Sequence, residues 1–141
     1  MRNDRVLFIL VVADFVLVML TLAAELALSS TLPQPLRDYA SSRYSGLTSI
    51  VWFSLWLGIA MATLVAWIGL LNYWGPARLL YVGAWAAWIL LVAASGPSVT
   101  TAAGATVETL EHLVGGAIVG LVFFSDLTKR FDHAELQIAS A

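Results

Sequence analysis

Four apolar runs, each close to the length that crosses a bilayer, constrain this chain more than any other feature of its sequence. A spanning helix needs about 20 mainly apolar residues. Hydrocarbon offers no partner for a free backbone N–H or C=O group, so each run is predicted to be helical. The sequence therefore predicts an all-α polytopic membrane protein with four transmembrane helices in an antiparallel bundle. The helices are expected at about residues 6–28, 48–71, 79–95 and 104–127, and a polar tail at 128–141.

The composition fits lipid as the main solvent of a single domain. Hydrophobic residues make up 60% of the 141 residues and charged residues 11%, whereas a soluble domain carries about 25% charged residues. The expected partners are therefore membrane lipids, and either the protein itself or another membrane protein. Nucleic acid is excluded as a partner because the chain has no cluster of Lys and Arg to displace counterions. No cofactor is predicted, and the absence of Cys excludes disulfides and thiolate metal sites.

The N-terminal segment resembles a signal peptide in two respects but is predicted to be retained. Arg2 and Arg5 precede an apolar run, and Ala23, Ala24 and Ala27 near the end of that run are small. However, the run from Val6 to Leu28 is longer than the roughly 7–15 residues of a signal-peptide core, and Asp14 lies in its middle. A membrane anchor is the favoured interpretation.

The distribution of Lys and Arg predicts the orientation of the bundle. Five of them fall on the side of the termini, and Arg37 and Arg43 fall on the other. Under the positive-inside rule, this asymmetry places both termini in the cytoplasm. The five residues on the terminal side are Arg2, Arg5, Arg78, Lys129 and Arg130.

The connections between the runs are short or polar. Gly75-Pro76 predicts a tight turn between an antiparallel helix pair, and Tyr73, Trp74 and Tyr81 beside it are typical of an interfacial aromatic belt. The segment 29–46 is expected to be exposed to water. Asp38, Tyr39 and Tyr44 are placed on a short surface helix within that segment.

Small residues recur at four-residue spacing, which places them on one face of a helix. Such ridges let another backbone approach closely. Packing within the bundle is the favoured interpretation, and self-association through one ridge is the alternative. The ridge residues are Ser54, Gly58, Ala62 and Ala66 on the second helix, Gly83 and Ala87 on the third, and Gly116 and Gly120 on the fourth.

Five ionisable residues inside the predicted spans form the candidate site: Asp14, Glu25, Glu108, Glu111 and His112. A charge at the bilayer centre costs at least about 2.5–3.5 kcal/mol, so these groups need an explanation. The helical rise places Glu25 and the Glu108, Glu111 and His112 group in the outer leaflet, where they can meet if the first and fourth helices are neighbours. The spacing also lets Glu108 accept a hydrogen bond from His112, and Gly115 leaves room beside them.

Two structural interpretations of this group stand beside the functional one. The residues can lie at the outer water interface, or they can form hydrogen bonds that hold the helices in register. The functional interpretation is a proton or cation site open to the outside, since carboxylate and imidazole groups serve in proton relays. A metal centre is disfavoured because a four-helix di-iron site needs Glu-x-x-His on two helices.

Asp14 lies deeper, roughly 13 Å from Arg5 along the helix. Its expected partners at that depth are Thr63 or the indoles of Trp85 and Trp88. Replacement by Asn is predicted to keep the fold, and replacement by Leu to weaken it.

Three stretches resemble a family of small four-helix bacterial inner-membrane proteins of unknown function. They are YWGPARLLYVGAW (Tyr73–Trp85), SGPSVTTA (Ser95–Ala102) and LVGGAIVGLVFFSDLTKRF (Leu113–Phe131). The resemblance covers the second half of the chain and rests on turn and packing motifs. It implies a four-helix topology in a bacterial inner membrane, and it carries over neither an activity nor a site residue.

The sequence favours a non-enzymatic structural, accessory or self-associating membrane subunit. The alternative is a small proton or cation channel or transporter that uses the outer Glu/His cluster. An intramembrane enzyme or quinone binder ranks third.

Overall fold

The computed structural model describes residues 2–42, 47–95 and 98–132, and these are almost entirely helical, with no strand among them. Four helices within these ranges are long and apolar enough to cross a membrane, which confirms the all-α class and the four apolar helices. The helices are α1 (Arg2–Leu28), α2 (Gln34–Ser42), α3 (Leu47–Leu71), α4 (Gly75–Ser95) and α5 (Ala102–Phe124), with a 3-10 turn at Ser29–Thr31. A further helical turn covers residues 128–132.

Local chemistry sets several of these boundaries. Helix α4 begins four residues earlier than the sequence predicts, because Gly75-Pro76 opens the helix and Pro suits a first helical turn. Helix α2 contains Asp38 and Tyr39, as predicted; Tyr44 lies outside the described residues. Helix α5 begins directly after its N-cap, Thr101.

The turn between α3 and α4 depends on one residue in the left-handed region. Tyr73 has a φ of 55°, and the next backbone N–H, of Trp74, donates to the carbonyl of Gly69 at 2.8 Å. This bond closes the end of α3 in the manner of a Schellman motif. Gly69 permits α3 and α4 to approach closely next to this turn, since a Cβ on Gly69 would lie 2.5 Å from the Cβ of Ala77.

The four long helices pack as two antiparallel pairs. Helix α1 runs along α5 and α3 runs along α4, whereas contact between the pairs is sparse. The pairs meet mainly near one end, the terminal end, which carries the start of α1, the α3–α4 turn and residues 128–132. The opposite end is the far end. The core there consists of Leu7, Val11, Ala66, Trp67, Leu70, Ala77, Tyr81, Ile118, Val122, Leu127 and Phe131.

Side-chain contacts tie the chain together at the terminal end. The carboxylate of Asp4 accepts a hydrogen bond from the Tyr73 hydroxyl at 2.9 Å and forms an ion pair with Arg130 at 3.1 Å. Arg78 pairs with Asp132 at 2.7 Å. Burial, and then the hydrogen bond to Asp4, raises the pKa of Tyr73, so its phenol remains a donor at neutral pH.

The small-residue ridges lie mostly on the outside of the molecule. Within this chain, a Cβ added at Gly58, Gly83, Gly116 or Gly120 would meet nothing within 4 Å. The structure therefore shows no close approach of another helix of this chain at these four glycines, and packing through them stays a prediction. On the α3 ridge, Ser54 is exposed, Ala62 is half-buried and Ala66 is buried; on α4, Ala87 is half-buried.

Candidate functional site

Asp14 is the most deeply buried ionisable side chain of the candidate site, with 4% of its surface exposed. Its Oδ2 atom accepts a hydrogen bond from the indole Nε1 of Trp67 at 2.9 Å. The same atom accepts a second bond from the hydroxyl of Tyr81 at 2.8 Å. Asp14 thus joins α1 to both α3 and α4 across the sparse contact between the helix pairs.

The partners expected for Asp14, Thr63 or the indoles of Trp85 and Trp88, are wrong. The hydroxyl of Thr63 donates to the carbonyl of Ile59, within its own helix. Trp85 instead lies beside the imidazole of His112, with 5.8 Å between ring centroids, and Trp88 packs edge-on against Trp56. Backbone depth alone points to Thr63, Trp85 and Trp88, but the long side chains of Trp67 and Tyr81 bring their polar tips to Asp14.

Tyr81 and Trp67 are the residues of the candidate site that sequence reasoning missed. The sequence predicts Tyr81 in an interfacial aromatic belt because it follows the α3–α4 turn closely, but Tyr81 is 3% exposed and belongs to the core. Its hydroxyl lies 3.2 Å from the position of a Cβ on Gly115. The room beside Gly115 that the sequence indicated is therefore occupied by the Tyr81 hydroxyl.

Helices α1 and α5 are in contact, so the first and fourth spans are neighbours. The hydroxyl of Thr21 lies 3.5 Å from Oε2 of Glu111, at the limit of a hydrogen bond. Thr21 is seven residues from Asp14, which is two helical turns along the same face of α1. The half-buried Glu111 carboxyl therefore faces the same stripe of α1 as Asp14.

His112 does not bind the carboxylate of Glu108. Its Nδ1 atom lies 2.6 Å from the backbone carbonyl of Glu108, one turn earlier. A carbonyl only accepts hydrogen bonds, so this contact places the ring proton on Nδ1. The backbone carbonyl is the nearer acceptor because both residues lie on one helix and their spacing brings that carbonyl beneath the ring.

Glu25 does not join the group around Glu111. Its Oε1 atom accepts hydrogen bonds from the backbone N–H of Thr101 at 3.0 Å and from the Thr101 hydroxyl at 3.1 Å. The same hydroxyl accepts a bond from the N–H of Gly104 and caps α5. The free N–H groups and positive dipole at a helix start attract a carboxylate, which accounts for this pairing.

The polar residues therefore form a line along the α1–α5 contact rather than one cluster. The line runs from Asp14 near the middle, through Thr21 and Glu111, to Glu25 and Thr101 at the far end. Within residues 2–42, 47–95 and 98–132, no three His, Asp or Glu side chains are grouped closely enough to hold a metal ion.

No protein-family model, curated protein or solved structure matches this chain, so the resemblance to small bacterial inner-membrane proteins stays a prediction.

Proposed function

We propose that this protein is a non-enzymatic membrane subunit that acts by associating with a second copy of itself through α5. The supporting observation is the outward position of Gly116 and Gly120. These two residues form a Gly-x-x-x-Gly pair, and a Cβ on either would meet nothing within the chain. Close backbone approach at such a pair is a common basis of helix association in lipid.

The residues around this pair give the face a complementary shape. Leu113 and Phe124 lie on the same stripe of α5, one turn before Gly116 and one turn after Gly120. They are 67% and 88% exposed, so both side chains protrude beside a groove that the glycines leave open. Two copies crossing at the glycines would place protruding side chains on either side of the contact.

Paired Gly→Leu substitutions test this function. Gly116→Leu with Gly120→Leu should convert a defined oligomer in mild detergent to the monomer, because two Leu side chains fill the groove. Gly58→Leu and Gly83→Leu are matched controls, since each adds the same side chain at an equally open glycine on another helix. Size-exclusion chromatography with light scattering gives the mass of each variant.

Disulfide cross-linking in native membranes provides an independent measurement. The chain has no Cys, so Gly116→Cys supplies a single thiol, and it should cross-link faster than Gly58→Cys or Gly83→Cys. If the wild-type protein is monomeric and none of the three variants cross-links, the proposed self-association is wrong. If only a control position cross-links, α5 is not the associating helix.

The proposed setting is a bacterial inner membrane, with the four helices as an antiparallel bundle and both termini in the cytoplasm. The excess of Lys and Arg at the terminal end supports this orientation. Reporter fusions after Ala141 and within segment 29–46 test it: activity of a cytoplasmic reporter is expected only from the first fusion.

A second candidate function is proton or cation passage along the contact between α1 and α5. The contact of Thr21 with Glu111 favours it, because it places a half-buried carboxyl between α1 and α5. Liposomes containing the protein should then show proton or cation flux that Glu111→Gln with His112→Gln abolishes. Equal flux with and without the protein would exclude this second function.

A further inference from the structure

Asp14 has an oxygen that the fold leaves unused. Both of its hydrogen bonds reach Oδ2, and no donor reaches Oδ1 among the residues that the structure describes. The two donors are a neutral indole and a neutral phenol, so neither balances a negative charge. Arg78, on the same helix as Tyr81, is engaged with Asp132 at the terminal end.

Burying a carboxylate without a full counter-charge costs free energy, and binding a proton removes most of that cost. We propose that Asp14 is a proton-binding site whose Oδ1 carries the proton, and that it exchanges this proton only with the far side of the membrane. This inference goes beyond the second candidate function, although it uses the same α1–α5 contact. It concerns binding, however, and is measured without any transport.

The route from the far side runs through polar groups. The Tyr81 hydroxyl touches both Asp14 and the surface of Gly115, and Glu111 lies one turn beyond Gly115 on the same face of α5. Glu111 is half-buried and reaches the Thr21 hydroxyl. In this proposal a proton from far-side water binds first to Glu111 and then moves to the unengaged Oδ1 of Asp14, which returns Glu111 to the carboxylate, while the Tyr81 hydroxyl keeps its bond to Oδ2.

Few ionisable groups face Asp14 from its neighbouring helices. Helix α4 contributes Tyr81, and α5 contributes Glu111 and His112, whose charges interact with that of Asp14. From α3 the neighbouring polar group is the indole of Trp67, which does not ionise. The proton occupancy of Asp14 is therefore coupled mainly to Glu111 and His112, both toward the far end.

The terminal side of Asp14 is closed by apolar packing. Leu7 and Val11 continue the stripe of Asp14 toward the N-terminus and are 1% and 3% exposed. Leu70, Ile118 and Val122 pack against them and have no exposed surface. Among the described residues, these five side chains between Asp14 and the terminal end carry no polar group that could bind a proton.

Infrared difference spectroscopy of the protein in nanodiscs tests the site. At neutral pH, a protonated carboxyl band should be present and should be lost in Asp14→Asn. Carboxyl-¹³C labelling of all aspartates should shift the same band without any substitution, which distinguishes Asp14 from Glu111 even if the variant fails to fold. A band that survives Asp14→Asn and does not shift on labelling would overturn the proposal.

Hydrogen–deuterium exchange of that band tests the direction of access. Glu111→Gln should slow the exchange by roughly 100-fold, the lower end of what a positioned proton-transfer group contributes. Asp4→Asn is the matched control at the terminal end and should leave the rate unchanged. Equal rates in wild type and Glu111→Gln, or equal slowing in both variants, would show that access is not from the far side. A protein that passes these tests but conducts nothing in liposomes keeps the proton site and loses only the second function.

Discussion

At the scale of single residues, the strictest requirement is that residue 14 accepts hydrogen bonds from two buried donors. The indole of Trp67 and the hydroxyl of Tyr81 are both buried, and both donate to one oxygen. A buried donor that loses its acceptor costs about 1–3 kcal/mol, because no water replaces the lost partner. The cost of changing Asp14 therefore depends mainly on whether the new side chain still accepts hydrogen bonds.

Asp14→Leu is expected to lower the free energy of unfolding by about 2–6 kcal/mol, since it leaves two buried donors unpaired. Asp14→Asn retains an acceptor and should cost about 1 kcal/mol or less. Unfolding in mixed micelles with increasing SDS, followed by circular dichroism, measures both.

A double substitution provides the control for this expectation. Asp14→Leu combined with Tyr81→Phe should recover about 1–3 kcal/mol relative to Asp14→Leu alone, because one orphaned hydroxyl is removed. Thr63→Val should be nearly neutral, since the Thr63 hydroxyl bonds only within its own helix. No recovery in the double variant would show that the Tyr81 bond contributes little.

At the scale of elements, the start of α5 joins two helices through a single side chain. The Thr101 hydroxyl accepts from the Gly104 N–H and donates to Glu25 on α1. An ordinary N-cap serves only its own helix. Here the cap also fixes where the far end of α1 meets α5, because the Glu25 carboxylate binds the Thr101 N–H as well.

Thr101→Val should therefore destabilise the protein by about 1–2 kcal/mol, the usual cost of losing an N-cap at the higher end of its range. Thr106→Val is the matched control, because Thr106 is exposed and its hydroxyl bonds only to Ala102 of the same helix. The same SDS titration compares them. Equal stability of the two variants would contradict the capping role of Thr101.

At the scale of the whole molecule, the two helix pairs are held together mainly at the terminal end. Phe131 has no exposed surface and lies beside the ring of Tyr73, at 5.4 Å between centroids. The guanidinium of Arg78 stacks over the same Phe131 ring at 5.2 Å. The helical turn after α5 thus closes the core over both pairs.

Phe131→Ala is expected to cost about 3–5 kcal/mol, as for a buried Phe elsewhere. Phe124→Ala makes the same chemical change at a side chain that is 88% exposed, and it should leave the stability of the monomer nearly unchanged. If Phe124 contributes to the contact between copies, this variant should instead lower the fraction of oligomer. A Phe131→Ala variant as stable as wild type would show that residues 128–132 do not hold the pairs together.

The sequence by itself determined the four apolar helices, because their length and composition leave a membrane-spanning chain no other way to satisfy its backbone. It also indicated that the first and fourth helices can meet, that Asp14 needs a partner, and that Gly115 leaves space. Only the tertiary structure decided which partner each polar group has. Trp67 and Tyr81 reach Asp14, and Thr101 captures Glu25, because long side chains and helix starts act across distances that residue counting does not resolve. The tertiary structure also decided that Gly58, Gly83, Gly116 and Gly120 have open space beside them within this chain. Helical spacing shows that residues share a face, but not whether that face contacts another helix.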